Sequence, residues 1–127
     1  MWSADCVQIR QYALVPSDEP VLRATTSDGG VYNDPSEDLL YMLFEDIDRG
    51  EADFLIVKRL NDGTGQTYAQ ATRDDNGAWI VERREGAPDA HFTATFPDLR
   101  SAHAAITAWA FDTLGADDAS WDKVSFE

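Results

Sequence analysis

Two segments of the chain place apolar residues at the spacing of an amphipathic helix. Before the first, Asp34 is a favourable N-cap, Pro35 suits the first helical position and Glu37 completes a capping box. The predicted buried stripe consists of Leu39, Leu40, Leu43, Phe44 and Ile47. Because Gly50 permits a left-handed exit, the pattern predicts a helix from Pro35 to about Arg49.

Four segments after this helix are rich in β-forming residues and are separated by turn-forming sequences. They are Phe54 to Leu60, Gln66 to Arg73, Ala78 to Glu85 and His91 to Phe96. The short gaps between them favour an antiparallel meander. A second helix is predicted to open at Pro97-Asp98, and a last short strand to lie around Trp121 to Phe126. The stripe of this helix is Leu99, Ala102, Ile106, Trp109 and Ala110.

The N-terminal segment, residues 1–33, gives weaker signals. Cys6 to Leu14 and Val21 to Thr26 are candidate strands, and Asp28-Gly29-Gly30 is a break. The 127 residues match the usual size of one domain. The sequence therefore predicts a single two-layer α+β domain over residues 1–127, with an antiparallel meander of four or more strands and two helices packed on one face.

Alternation along the central strands predicts one apolar and one polar face of the sheet. The apolar face would meet the helices, whereas the opposite face gathers Tyr68, Gln70, Glu82, Arg84 and His91. These side chains are either the solvated face of a two-layer domain or a recognition surface or small-ligand site. An enzymatic form would use Glu82 as general acid or base with His91 as its partner, although no nucleophile motif accompanies them.

Acidic side chains crowd the C-terminal end of the first predicted helix. This acidic patch consists of Glu45, Asp46, Asp48, Glu51 and Asp53. The helix dipole already concentrates negative charge there, so each exposed carboxylate costs on the order of tenths of a kcal/mol. The patch is either a functional surface or a solvated cluster that salt screens.

The charge of the chain restricts its partners. With 24 acidic and 10 basic residues, the formal net charge is −14. The negative field of such a chain repels nucleic acid and anionic membranes and attracts a basic protein as partner. The alternative is that the acidity serves only to keep the protein soluble. The start of the chain lacks the basic residues and apolar run of a signal peptide, and no segment reaches membrane-spanning length, so we expect a cytoplasmic protein.

The residues that carry metal or cofactor chemistry are few. Cys6 is the only cysteine, and His91 and His103 are not at ligand spacing from one another. No phosphate-binding loop, dinucleotide fingerprint or Gly-x-Ser-x-Gly sequence occurs. We therefore predict no metal site, no cofactor and no catalytic residues.

Several short motifs resemble those of known bacterial families. Tyr68-Ala69-Gln70-Ala71, Val81 to Gly86 and His91-Phe92 resemble a group of small, largely uncharacterised actinobacterial proteins, which implies no function. The ending, from Ala102 through Trp109-Ala110-Phe111 to Trp121, is similar to immunity proteins of bacterial polymorphic toxin systems. That likeness implies a protein that blocks a cognate toxin and has no catalytic residues, but the expected Gly-x-x-Pro turn is replaced by Leu114-Gly115-Ala116-Asp117-Asp118.

Three functions are consistent with these features. The first is a non-enzymatic binding protein, of the immunity type, that neutralises a basic partner through an acidic and aromatic surface. The second is a small-ligand-binding protein or enzyme that uses the polar sheet face around Glu82, Arg84 and His91. The third is a regulatory or scaffolding module.

Overall fold

The fold is taken from a computed structural model, which describes residues 19–111 and 121–124. The elements are β1 (Leu22–Thr26), β2 (Val31–Asn33), α1 (Glu37–Asp48), β3 (Phe54–Arg59), β4 (Thr67–Arg73), β5 (Trp79–Glu85), β6 (His91–Phe96), α2 (Leu99–Ala110) and β7 (Asp122–Lys123). The candidate strand from Cys6 to Leu14 and the segment from Leu114 to Asp118 lie outside the described residues.

The strands form a single sheet. Within the described residues, seven antiparallel strands follow the order β2-β1-β3-β4-β5-β6-β7. Strands β3 to β6 are neighbours in chain order, as the short turns predicted. Both helices contact strands of the sheet, and they also contact each other. The predicted two-layer α+β fold, with the helices on one face, is confirmed.

The hydrophobic core lies between the helices and the sheet. Both helices and the strands β1, β3, β4 and β5 contribute side chains to it. Its largest fully buried members are Trp79, Phe44, Leu40, Leu55, Ile106, Val57 and Val81. The rings of Phe44 and Trp79 lie 5.4 Å apart and join α1 to the sheet. Burial of each large apolar side chain contributes about 1.5–3 kcal/mol, so this layer is the main source of stability.

The N-terminus of α1 differs from the prediction. Ser36, not Asp34, is the N-cap, and its Oγ accepts the Leu39 amide at 3.0 Å. The predicted capping box does not form, because Leu39 occupies the third helical position. The Asp34 carboxylate instead accepts the amides of Val21 and Leu22, at 2.9 and 3.0 Å. These amides lie beyond the end of β2, so the Asp34 side chain supplies the hydrogen-bond acceptor that they would otherwise lack.

The C-terminus of α1 and the N-terminus of α2 agree with the sequence patterns. Gly50 follows α1 with φ of 80°, as the predicted left-handed exit requires. The Asp98 side chain caps α2 by accepting the Ser101 amide at 2.8 Å. Neither described helix is long and apolar enough to span a membrane. The strand β2 was not predicted, because three residues are too few to show alternation.

Candidate functional site

The register of the sheet brings the five predicted polar-face residues together. Tyr68 is paired with Arg84, which is paired with His91, while Gln70 is paired with Glu82 in the adjacent row. Directly paired residues of antiparallel strands project to the same face of a sheet. Their alternating neighbours, such as Ala69 and Val81, are buried in the core, so the five residues lie opposite the helices.

His91 is the centre of a hydrogen-bond network on this polar face. Its residue surface is only 3% exposed. The Nδ1 atom accepts the Nε–H of Arg84 at 3.1 Å, and Nε2 lies 2.7 Å from Oε1 of Glu82. Because a guanidinium group can only donate, Nδ1 carries no proton in this arrangement, and Nε2–H donates to Glu82. Hydrogen bonds therefore run in one direction from Arg84 through His91 to Glu82.

Tyr68 and Gln66 hold the arginine of this network in place. The Arg84 guanidinium carbon lies 5.6 Å from the centre of the Tyr68 ring, and its Nη1 donates to Oε1 of Gln66 at 3.2 Å. The rings of Tyr68 and His91 pack edge to face, with their centroids 6.1 Å apart. Contacts on several sides fix the orientation of the guanidinium, so the network forms a rigid part of the sheet surface.

This geometry does not favour a role for His91 in proton transfer. A general acid or base must lie within hydrogen-bond reach of the proton that it transfers. Both ring nitrogens of His91 are engaged by Arg84 and Glu82, and the ring is buried. The arrangement is typical of a structural histidine that satisfies its hydrogen bonds inside a polar network.

A cleft of about 310 Å³ lies beside the network on the same face. It is lined by Ile56, Lys58, Gly65, Tyr68 and Gln70, and we call it the Lys58 cleft. The five predicted residues therefore divide into two groups. Tyr68 and Gln70 line the cleft, whereas Glu82, Arg84 and His91 form the adjoining network.

The acidic patch lies at the C-terminal end of α1, together with two arginines that sequence reasoning did not assign to it. Arg49 forms ion pairs with Asp46 and Glu51. From β4, Nη1 of Arg73 lies 3.0 Å from the Asp48 carboxylate and donates to the Asp48 backbone carbonyl at 3.2 Å. Positive charge at a helix C-terminus is favourable, so these arginines offset the crowding of carboxylates there.

A second cleft, of about 330 Å³, adjoins the acidic patch. This acidic cleft is lined by Ile47, Gly50, Ala52, Asp53, Arg73, Asp74, Asp75 and Gly77. The β4–β5 turn thus brings two further aspartates next to the patch. Asp74 Oδ1 accepts the amides of Asn76 and Ala78, both at 2.9 Å, which fixes the turn. Sequence reasoning missed Asp74 and Asp75, because their approach to α1 depends on how the helix packs on the sheet.

The carboxylates with lowered pKa lie outside the acidic patch. Hydrogen bonds from the Thr64 and Thr67 side chains lower the pKa of Asp62, and the Ser101 amide lowers that of Asp98. These groups stabilise a turn and a helix cap, which are structural roles. Within the described residues, no three His, Cys, Asp or Glu side chains are arranged to hold a metal ion.

The comparisons with known proteins give no family. No protein family model matches the chain, and no curated protein or solved structure is significantly similar to it. Membership of the actinobacterial group or of the immunity proteins therefore stays a prediction. Of the aromatic residues in the immunity-like ending, Trp109 is buried in the core. Trp121 is partly exposed and packs against the edge of the core.

Proposed function

We propose that this protein is a non-enzymatic binding protein that holds a basic segment of a partner protein in the acidic cleft. The observation that supports the proposal is that Asp53 of the acidic patch lines one concave surface together with Asp74 and Asp75. A cleft with low-dielectric walls focuses the field of the charges around it. A lysine or arginine side chain is therefore attracted more strongly there than on a flat surface of equal charge.

The ion pairs in and near the acidic cleft leave negative charge available to a partner. The patch and the turn together hold seven carboxylates, whereas Arg49 and Arg73 supply two positive charges. Asp53 and Asp75 are exposed residues of the lining. They are the carboxylates that we assign to direct contact with a basic side chain of the partner.

The charge of the whole chain supports the same assignment. A net charge of −14 accelerates encounter with a basic protein and slows encounter with acidic ones. Neutralisation of a basic toxin in the cytoplasm is the specific form of this function that the resemblance to immunity proteins implies. It requires no catalytic group.

Partner capture followed by kinetic measurement tests the proposal. The tagged protein is incubated with lysate of its native cells at low salt, and bound proteins are identified by mass spectrometry. We expect a basic protein that is released as the salt concentration rises. Its association rate with the purified chain is then measured by surface plasmon resonance over a range of salt concentrations.

Charge reversal locates the binding surface. The double variant Asp53→Lys, Asp75→Lys should slow association about tenfold or more at low salt and flatten its salt dependence. The matched control, Asp38→Lys with Asp89→Lys, makes the same change of net charge at exposed positions outside the acidic cleft. If both double variants slow association equally, the acidic cleft is not the binding surface.

A further inference from the structure

The Lys58 cleft is built from four side chains of two paired strands. Ile56 is paired with Gln70, and Lys58 with Tyr68, so the four residues form two adjacent cross-strand pairs on the polar face. The β3–β4 loop adds Gly65 as a wall. The volume of about 310 Å³ matches the lower end of small-ligand sites.

The cleft carries an unneutralised positive charge. Lys58 is exposed, and it forms no ion pair with any residue in the described part of the chain. It also belongs to a row across the sheet in which Arg23, Lys58, Tyr68, Arg84 and His91 are successive partners. Arg23 and Lys58 are directly paired in this row, and two adjacent cations favour an anion.

The loop wall of the cleft is fixed before any ligand arrives. The Asp62 carboxylate accepts hydrogen bonds from the hydroxyls of Thr64 and Thr67, and Thr64 Oγ1 accepts the Gln66 amide at 3.1 Å. Gly65 adopts φ of 69°, a conformation that favours glycine, and leaves the wall without a side chain. A preformed wall reduces the entropy cost of binding.

We propose that the Lys58 cleft binds a small aromatic anion. The Lys58 ammonium donates hydrogen bonds to the anionic group, and the lining also includes Tyr68 and Gln70, two residues with polar groups. Ile56 and the Tyr68 ring supply apolar surface against which an aromatic ring packs. A cationic ligand is disfavoured, since it would meet the charge of Lys58. This site is separate from the acidic cleft and does not depend on the proposed partner.

Four probes of similar size and different charge test the class of ligand. Benzoate and phenyl phosphate are the anions, benzamide is the neutral analogue and benzylammonium is the cation. Each is titrated into the isotopically labelled full chain while backbone amide chemical shifts are recorded. We expect saturable shifts with at least one of the two anions, concentrated at the residues that line the Lys58 cleft. The anion that binds more tightly distinguishes a carboxylate site from a phosphate site. Benzamide should bind the cleft about tenfold more weakly than that anion.

The two lysines of the chain provide a variant and a matched control. Lys58→Gln and Lys123→Gln each remove one positive charge from an exposed position, but Lys123 lies on β7 and does not line the cleft. Lys58→Gln should weaken binding of the anion about tenfold, and Lys123→Gln should leave it unchanged. The proposal is overturned if neither anion gives saturable shifts, if benzamide or benzylammonium binds as tightly, or if Lys58→Gln has no effect.

Discussion

Replacement of His91 by Phe removes two hydrogen bonds from the polar face while it keeps a planar ring in the same place. Arg84 loses the acceptor of its Nε–H, and Glu82 loses the donor at 2.7 Å. A hydrogen bond to a charged group contributes about 1.5–3 kcal/mol when it is buried. The Glu82 side chain is 38% exposed and regains water, which discounts its share. We therefore expect a loss of about 2–3 kcal/mol in the free energy of unfolding.

The second histidine of the chain is a matched control. The rings of His103 and Tyr41 are nearly perpendicular, with centroids 5.0 Å apart, and the His103 Nε2 donates to the Glu37 backbone carbonyl at 3.0 Å. This single hydrogen bond to a neutral and exposed group contributes about 0.5–1.5 kcal/mol. His103→Phe should therefore cost clearly less than His91→Phe.

The free energy of unfolding of both variants is measured at neutral pH by urea titration, with tryptophan fluorescence as the signal. Equal slopes for the wild type and the variants would show that the surface exposed on unfolding is unchanged, so that the midpoints report the change in stability. The reasoning is refuted if His91→Phe is as stable as the wild type, or if His103→Phe loses as much free energy. The first result would mean that the network on the polar face adds nothing beyond packing, and the second that it stabilises the fold no more than the single hydrogen bond of His103.

Three further predictions follow from other parts of the fold. Phe44→Ala should cost about 3–5 kcal/mol, whereas Met42→Ala, at an exposed site, should cost under about 0.5 kcal/mol in the same urea assay. Arg73→Gln should lower the free energy of unfolding, measured in urea, by about 0.3–1 kcal/mol, because it removes a cation from the C-terminal end of α1. It should also speed association with a basic partner, measured by surface plasmon resonance, because it removes a cation from the acidic cleft. The Ser101 amide lowers the pKa of Asp98, so this cap contributes fully above the unfolded value near 3.8 and loses its contribution as the pH falls through the folded value. Asp98→Ala should therefore shift the urea midpoint more at pH 7 than at pH 3, and Asp98→Asn should retain most of the cap at both.

The parts of the fold that follow from local pattern were predictable. The helical spacing of Leu40, Leu43, Phe44 and Ile47 identified α1, and the short turns identified the meander. The start of α1 was not predictable in the same way. Asp34 and Ser36 are both good N-caps, and the choice between them depends on two amides beside β1, which the local sequence of the helix does not reveal.

The candidate sites were predictable to the extent that they depend on strand alternation. Alternation along three strands was enough to place the five polar-face residues on one surface. Lys58 was missed because the face of β3 was not assigned, and its closeness to Tyr68 depends on register between strands. Arg73 and the β4–β5 turn were missed because their contact with the end of α1 depends on the packing of the helix on the sheet.

The two clefts should act independently, because they lie at opposite ends of β3. Asp53 immediately precedes the strand and Lys58 is near its end, so a rise of about 3.3 Å per residue separates their backbones by about 17 Å. At physiological ionic strength the Debye length is about 8 Å, so exposed charges at these positions are largely screened from each other. Lys58→Gln should then weaken binding of an aromatic anion without changing association with a basic partner. Asp53→Lys with Asp75→Lys should have the converse effect, and a variant that alters both would show that the clefts form one coupled surface.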